Sequence, residues 1–396
     1  DEKEFYHCFS SGEHGNIFDF LMKTQNLKFG ETVKLLANLA GMRPYLFSKQ
    51  DQERENKFKQ YISIINKYVQ ICHETVIKKK NYLVSNYIKK RNLNLSTITK
   101  YKIGFSENDE NLFDKFKKTF DHESLKTSGL FYFDEKKNKY VDRFRNRLIF
   151  PINNISGNPI GLGGRIIEKS SYLAKYINSP ETFFFKKGSN LYNLDNARKL
   201  SNKFENIFIV EGYMDVIGLS KNGIDNSVAN LGTALTEKQI ELLNQYFNHI
   251  IICFDGDDSG FKAALKAAEN NIVNLKPDKK ISFLFLPQGE DPDSFVNSKG
   301  KEFFEKYSKD NIIPIHEFIF NKYKNETDKS PSSFAIFEKK LRGLAFSIKD
   351  EFIKKYILEF FLENIKELTP NLSLNKKKFN YQNEKSLDIT QKYYND

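Results

Sequence analysis

The sequence predicts a multidomain chain of α/β and α+β class, with a parallel-sheet domain set between a mixed N-terminal subdomain and a helical C-terminal one. Three observations carry that prediction. Residues 205–300 alternate apolar strand-like runs with helix-patterned runs, which implies a parallel sheet covered on both faces. After Gly104 the texture is one of short strand-like runs punctuated by Gly, Pro and Asn. Beyond residue 300 the apolar residues keep helical spacing.

The elements follow in order along the 396 residues, a length that accommodates two or three domains. Residues 1–42 read as a short strand, a Gly-containing turn and two amphipathic helices, the second running from Thr32 to Leu39 and stopped by Gly41. Residues 43–57 are polar and read as a linker, with SKQDQERENK also readable as an exposed helix start. Residues 58–200 form a subdomain that begins helical, through FKQYISIINKYVQICHETVI and NYLVSNYIKKRNL, and turns to short strands in YFDEKKNKYVDRFRNRLIFPINN and ISGNPIGLGGRII. Within 201–300 the order is strand IFIVEG, helix MDVIGLSKN, strand NSVANLG, helix TEKQIELLNQYF, strand HIIICFDGD, helix GFKAALKAAENNIV and strand ISFLFLP. Residues 301–369 form the helical subdomain, and 370–396 are a polar tail.

Composition narrows the function classes. A hydrophobic content of 39% with 14% aromatics is globular. The net charge of +11 and pI near 9.1 favour a polyanionic partner. The Lys-, Asn-, Ile- and Phe-rich usage looks like that of an A+T-rich genome, so single lysines carry little weight. Cys8, Cys72 and Cys253 are too far apart for a disulfide framework. No run approaches the ~18 apolar residues of a membrane span, and no signal peptide is visible, so a cytoplasmic chain without membrane attachment is expected. The first residue, Asp1, suggests a fragment or a processed chain.

The chemistry gathers where apolar runs meet acids. NHIIICFDGDDSG drives a strand into Asp255 and Asp257, with Asp258 suited to starting the next helix. IFIVEGYMD delivers Glu211, with Asp215 one helical turn later, and FLFLPQGEDPD delivers Glu290, Asp291 and Asp293. In an open parallel sheet, functional groups gather at the carboxyl ends of the strands. One acidic loop alone is more often a solvated turn or a helix N-cap than a metal site. Three of them, each after a strand, point to a divalent metal centre, because clustered carboxylates repel unless a cation with a taste for oxygen ligands, Mg²⁺ or Mn²⁺, neutralises them.

The basic counterpart lies upstream. DRFRNRLIFPI places Arg143, Arg145 and Arg147 at alternate positions, and on a strand these would share one face as a stripe suited to phosphates. Arg165 in GLGGRI, Lys175 and Asn178 in KYINSPET, and Lys186 and Lys187 in FFKKGSNLY extend the set. Tyr176 offers a ring that could stack on bases, although a core role is the simpler expectation.

These strings resemble a known family. Glu211 to Asp215 (EGYMD), Phe254 to Asp257 (FDGD) and Gly289 to Asp293 (GEDPD) resemble the TOPRIM domain of bacterial DnaG-type primases, as do NLGTALT at 230–236 and FLPQGEDPD at 285–293. The Glu and Asp-x-Asp signature alone is shared with topoisomerases, nucleases and recombination factors; the longer strings are narrower. The resemblance spans most of residues 1–320. It implies a TOPRIM-type sheet and de novo synthesis of RNA primers on a single-stranded DNA template from ribonucleoside triphosphates. By the same resemblance, Glu211, Asp255, Asp257, Asp291 and Asp293 hold two Mg²⁺ or Mn²⁺ ions, with Glu211, Asp255 and Asp257 catalytic and Asp215 supporting them. Arg143, Arg145, Arg147, Arg165, Lys175, Asn178 and Lys187 would bind template and nucleotide.

The opening unit departs from the pattern. HCFSSGEHGNIFDF resembles the second half of the family's zinc ribbon, with Cys8 at the first cysteine position and Ser11 at the second. The upstream Cys-x-x-His half is missing from this sequence, so zinc, which needs four N or S ligands, is not expected to bind. The helicase-binding domain is also missing after residue 369, although a replicative helicase is a partner in the family, and a monomer is expected. The competing readings are a TOPRIM nuclease or topoisomerase fragment, and a catalytically degenerate nucleic-acid-binding relative.

Overall fold

The computed structural model describes residues 6–8, 10, 14–42, 48–78, 81–168, 172–232, 235–254, 258–328 and 330–368. They divide into two compact units, Asp1–Asp195 and Asn196–Asp396.

The first unit opens with a two-stranded antiparallel pair, β1 (Tyr6–His7) and β2 (His14–Gly15), followed by α1 (Ile17–Thr24) and α2 (Phe29–Leu39). Asn16 starts α1 with a capping box: its side-chain oxygen accepts from the amides of Phe18 and Asp19, and the Asp19 carboxylate accepts from the Asn16 amide. The next helix, α3 (Lys49–Ile77), is capped by Ser48, whose hydroxyl accepts from the Asp51 amide at 3.1 Å. Residues 49–57 are therefore its first turns, the exposed helix start that the sequence offered beside a linker. A cap at Ser48 with Asp51 three residues on decides between the two.

Along α3 the buried residues Tyr61, Ile64, Ile65, Tyr68, Val69, Cys72 and Val76 recur every three to four positions and form one apolar face. That face packs on β3 (Gly104–Ser106), reached after α4 (Tyr82–Lys90) and α5 (Leu95–Lys100). Contact is close because residue 104 is glycine: a Cβ there would lie 2.7 Å from the Cys72 backbone carbon. Between β3 and the next strands the chain forms two short helices, α6 (Leu112–Lys117) and α7 (His122–Thr127), which the strand-like texture of this region did not suggest. Phe113 and Phe116 on α6 and Leu125 on α7 are buried.

A hairpin, β4 (Phe131–Asp134) and β5 (Lys139–Asp142), precedes the other strands of the β3 sheet: β6 (Arg147–Asn153), β7 (Pro159–Ile166) and the short β8 (Tyr176–Asn178). The sheet runs in the order β3-β6-β7-β8 and every pairing is antiparallel. Arg143 to Asn146 form the turn between β5 and β6. The three alternating arginines therefore do not share one strand face: only Arg147 is on a strand. The reason is local. Asn146 takes φ of 56°, the left-handed region that Asn tolerates well, and its amide donates to the Ser106 carbonyl at 2.7 Å.

The second unit alternates as the sequence predicts. α8 (Leu194–Ala197) spans the division between units, and β9 (Asn206–Val210), α9 (Tyr213–Lys221), β10 (Ser227–Ala229), α10 (Glu237–Asn244), β11 (His249–Phe254), α11 (Asp258–Asn271) and β12 (Lys280–Phe285) follow. The strand order is β10-β9-β11-β12, all parallel. β11 sits in the middle, and Ile250, Ile251 and Ile252 are buried with Ile207, Ile209, Phe283 and Leu284 of its neighbours. Such unbroken apolar runs suit strands covered on both faces, each side chain contributing about 1.5–3 kcal/mol of burial.

After α12 (Pro292–Lys299) and α13 (Lys301–Asn311), the short β13 (Ile313–Pro314) joins β12 antiparallel at the sheet edge. Pro314 lacks an amide proton and is tolerated at an edge. This strand is not visible as an apolar alternation in the sequence. The helices α14 (Ile315–Asn325), α15 (Pro331–Ser347) and α16 (Glu351–Leu368) complete the unit, with Phe320, Leu341, Ala345, Phe361 and Ile365 buried. No helix among the described residues is long and apolar enough to cross a membrane.

Candidate functional site

Two sets of residues carry the candidate chemistry, one in each unit. In the second unit the parallel order β9-β11-β12 brings three strand ends to the same sheet edge. Register pairs Ile209 with Ile252, and Phe254 with Phe285. Glu211 is the first residue beyond β9 and is exposed. The next residues after Phe254 are Asp255, Gly256 and Asp257, which lie outside the described residues. Among the described residues no group of three His, Cys, Asp or Glu side chains forms a metal cluster.

The other acids have defined local roles. The Asp215 carboxylate accepts from the Gly212 amide at 2.9 Å, reaching back from the first turn of α9 to its N-cap, directly after Glu211. Asp291 caps α12, accepting from the Ser294 amide at 2.7 Å. The Ser294 hydroxyl donates in turn to Glu290. Asp293 is 5% exposed, and Asn297 Nδ2 donates to both its carbonyl and its carboxylate at 2.6 Å. It packs on Gly218 of α9, where an added Cβ would fall 2.3 Å from Asp293 Oδ1 and 2.8 Å from its Cα. Gly218 is a notch that seats α12 against α9, the helix whose start follows Glu211. The sequence carried no sign of that role.

The donor chemistry at this edge suits a hard divalent cation. Glu211, Asp255, Asp257 and Asp291 offer carboxylate oxygens and no soft ligand, the set preferred by Mg²⁺ and Mn²⁺. Cys8, the remnant zinc position, is half-buried with its Sγ 3.2 Å from Ser10 Oγ, while Ser11 lies outside the described residues.

In the first unit the basic residues are held by the fold. Arg143 Nε donates to the Gly129 carbonyl at 3.0 Å, and Arg145 Nη1 donates to Tyr132 Oη and to the Asp142 carbonyl, each at 2.9 Å. Both guanidinium groups lie over the Tyr132 ring, 5.4 and 5.7 Å from its centre. Tyr132 is thus a platform for the turn, an aromatic whose role no spacing revealed. Burial lowers the pKa of Arg143 below the usual guanidinium value, as it does for Arg147.

Arg147 is 5% exposed. Its Nη1 donates to the carbonyls of Ala174 at 3.0 Å and Lys175 at 3.4 Å, so it braces the entry to β8. Arg165, on β7 opposite Tyr176, donates from Nη1 to Tyr176 Oη at 2.8 Å. Tyr176 is half-buried against this arginine rather than sunk in the core. Lys175 is exposed beside it, with Nζ 5.8 Å from the Tyr176 ring centre. Asn178 ends β8 opposite Gly163, and Lys187, whose amide donates to Glu181 at 3.1 Å, starts a single 3₁₀ turn.

The turn that carries Arg143 and Arg145 is rooted in a buried polar cluster. Asp142, 3% exposed, accepts from Tyr68 Oη at 2.8 Å, from the Phe144 amide at 2.8 Å and from Ser106 Oγ. Tyr68 Oη also lies within hydrogen-bonding distance of Ser106 Oγ, at 2.9 Å. Desolvation pushes the Asp142 carboxyl above the ordinary carboxylate range despite these donors, and burial together with Asp142 pushes Tyr68 well up. Asp142 stands inside the DRFRNR string but was overshadowed there by its arginines.

Comparison with known proteins falls on the same division. Residues 71–198 match the N-terminal domain of the DNA primase catalytic core, residues 205–285 match the Toprim domain, and residues 1–54 match the CHC2 zinc finger. The DNA primase of Pasteurella multocida is 36% identical over 342 residues, covering 83% of this chain and 56% of that protein, so the chain spans a little over half the length of that relative. Among solved structures, a DNA primase domain from Pseudomonas aeruginosa is 34% identical with a TM-score of 0.71, covering 78% of this chain and 97% of that one. The DnaG primase catalytic domain bound to ssDNA is 30% identical with a TM-score of 0.72, covering 78% and 99%. The fold and these matches agree: the chain belongs to the DnaG-type DNA primase family.

Proposed function

We propose that the chain is a primase polymerase core, which joins ribonucleoside triphosphates into short RNA primers on single-stranded DNA. The observation that carries this reading is the adjacency of β9, β11 and β12, whose carboxyl ends run into Glu211, into Asp255 and Asp257, and into Asp291, in a member of this family. Two Mg²⁺ or Mn²⁺ ions, held by Glu211, Asp255, Asp257, Asp291 and Asp293, would supply charge neutralisation at the triphosphate and acidify the attacking 3′-hydroxyl when bound.

The chain's own residues do the rest. Glu211, exposed at a strand end, offers an oxygen ligand or a proton acceptor within reach of solvent. Asp215 fixes the start of α9 and so the backbone on which Glu211 stands. Asp293 is more enclosed than Glu211 and Asp291, and its hydrogen bonds to Asn297 give it a second role in seating α12. Arg143, Arg145, Arg165, Lys175 and Lys187 grip phosphates of template and nucleotide, which makes binding strongly salt-dependent. Arg147 acts through Lys175 and Tyr176 rather than by direct contact, because its guanidinium already serves backbone carbonyls. Asn178 contributes a neutral donor beside them.

In the zinc ribbon, Ser11 supplies a hydroxyl where the pattern has a thiolate, so this half of a site offers only Cys8. Substoichiometric zinc in metal analysis of the purified chain is the expected result. The reading places the protein in the bacterial cytoplasm as a monomer at the replication fork, where a replicative helicase would be its partner.

The deciding assay supplies single-stranded DNA, labelled ribonucleotides and Mg²⁺ or Mn²⁺. Label should enter short RNA and Asp255→Ala should abolish its entry. Cleavage of the DNA with no synthesis would assign a nuclease instead.

A further inference from the structure

A groove of about 710 Å³ runs in the first unit between α4 and the β7–β8 pair, lined among others by Tyr87, Lys90, Arg91, Arg165, Glu168 and Lys175. Arg165 is the least exposed of these cations, at 7%. Its guanidinium lies between two aromatic rings, 5.3 Å from the centre of Tyr87 and 5.1 Å from that of Tyr176. Tyr176 comes from the neighbouring strand and also accepts a hydrogen bond from Nη1. Tyr87 comes from α4, a separate element, and touches the guanidinium through its ring alone.

Among the described residues no carboxylate forms an ion pair with Arg165, although Glu168 lines the same groove. A nearly enclosed guanidinium normally has an acidic partner to offset its desolvation. Here the negative faces of two rings take that place. Ring faces restrain the plane of the group without consuming N–H donors; apart from the one that Nη1 gives to Tyr176 Oη, the donors stay available to an anion. Lys90, Arg91 and Lys175 along the groove add to the positive potential.

We propose that Tyr87 is a positioning residue for phosphate recognition: it closes an aromatic clamp that presents Arg165, already oriented, to the phosphate of a nucleoside triphosphate or of a nucleic-acid backbone. The inference rests on the reading that Arg165 binds phosphate in the proposed function. The clamp removes the rotamer freedom of a long side chain before the ligand arrives, so binding does not have to. Its signature is a loss of affinity without loss of the chemical step.

The test measures KM for ATP in primer synthesis, and the affinity of a fluorescent single-stranded oligonucleotide, for wild type and variants of the whole chain. Tyr87→Leu should weaken one or both roughly 3- to 20-fold, with kcat and the thermal midpoint close to wild type, and Tyr87→Phe should restore the affinity. Which arm moves identifies the nucleotide or the strand as the source of the phosphate. In an Arg165→Ala background, Tyr87→Leu should add no further loss; additive losses would overturn the clamp. A series of increasingly fluorinated phenylalanines at residue 87 keeps the ring's shape while draining its negative face, so a stepwise fall in affinity supports the proposal and a flat series sinks it even where Leu is poorly tolerated. Wild-type binding together with an unchanged Tyr87→Leu overturns this inference alone. A wild-type chain that binds neither probe overturns the proposed function as well.

Discussion

The basic surface of the first unit and the acidic edge of the second handle charge in opposite ways. Arg143, Arg145, Arg147 and Arg165 are each held in place by carbonyls or tyrosine rings. None of these four forms an ion pair with a carboxylate among the described residues. Glu211, by contrast, stands exposed at the end of a strand, and the acids around it secure helix starts. Arginine can be fixed without neutralisation because π faces and carbonyl oxygens tolerate its diffuse charge. In the proposed function, carboxylates brought to one edge would repel one another and need cations to settle them. The first region is then finished by folding, and the second would be completed by what binds.

The largest break in that comparison should come from Glu211→Gln. Primer synthesis should fall by roughly 10²–10³-fold, while the urea midpoint stays near wild type, because an exposed side chain contributes little to the fold. A variant that remains active would remove Glu211 from the site.

Arg147→Ala should do the reverse. Removing a guanidinium that serves the backbone carbonyls of Gly164, Ala174 and Lys175 at 5% exposure should cost about 3 kcal/mol in equilibrium unfolding. If Arg147 instead touches nucleic acid directly, stability will hold and the salt dependence of DNA binding will flatten.

Gly218→Ala tests the packing beneath the acidic edge. The added methyl meets the Asp293 backbone and carboxylate, so a loss of about 2 kcal/mol is expected. Unchanged stability would mean that α12 shifts freely on α9.

The smallest effect concerns pH and the root of the arginine turn. Burial raises the Asp142 carboxyl above its unfolded value of about 3.9. The protonated form is therefore favoured in the native state. Its contribution to stability is present below that unfolded value and is lost as pH rises through the raised native one. Asp142→Asn should accordingly gain on wild type as pH climbs from the ordinary carboxylate range upward, by on the order of 1 kcal/mol. Urea midpoints of the two proteins across that range give the difference directly, and parallel curves would contradict the buried carboxyl.

The parts that could be read in advance are those written in short apolar runs. IFIV, HIIICF and ISFLFL announce β9, β11 and β12 because a strand covered on both faces needs no polar alternation. Their spatial order was conditional in the sequence, since convergence of the acids required the strands to be neighbours. The arginine string misled for a stated reason. Alternate spacing shares a face only on a strand, and Asn146 with positive φ, anchored by Ser106, bends these residues into a turn. Of the two readings open for SKQDQERENK, linker or exposed helix start, the capping signal at Ser48 decides for the helix from Lys49.

Sequence by itself determined the class of fold, the three acidic strand ends and the membership that EGYMD, FDGD and GEDPD announced, because these depend on neighbours within a few residues. Tertiary structure alone decided which cations are free to meet a ligand and which serve the fold. Arg147 and Arg165 look alike in the chain, yet one is spent on the carbonyls of Ala174 and Lys175 and the other lies between Tyr87 and Tyr176. That distinction rests on contacts between residues as many as 78 positions apart in number, such as Tyr87 and Arg165 (165 − 87 = 78), and no local pattern encodes a partner at that separation.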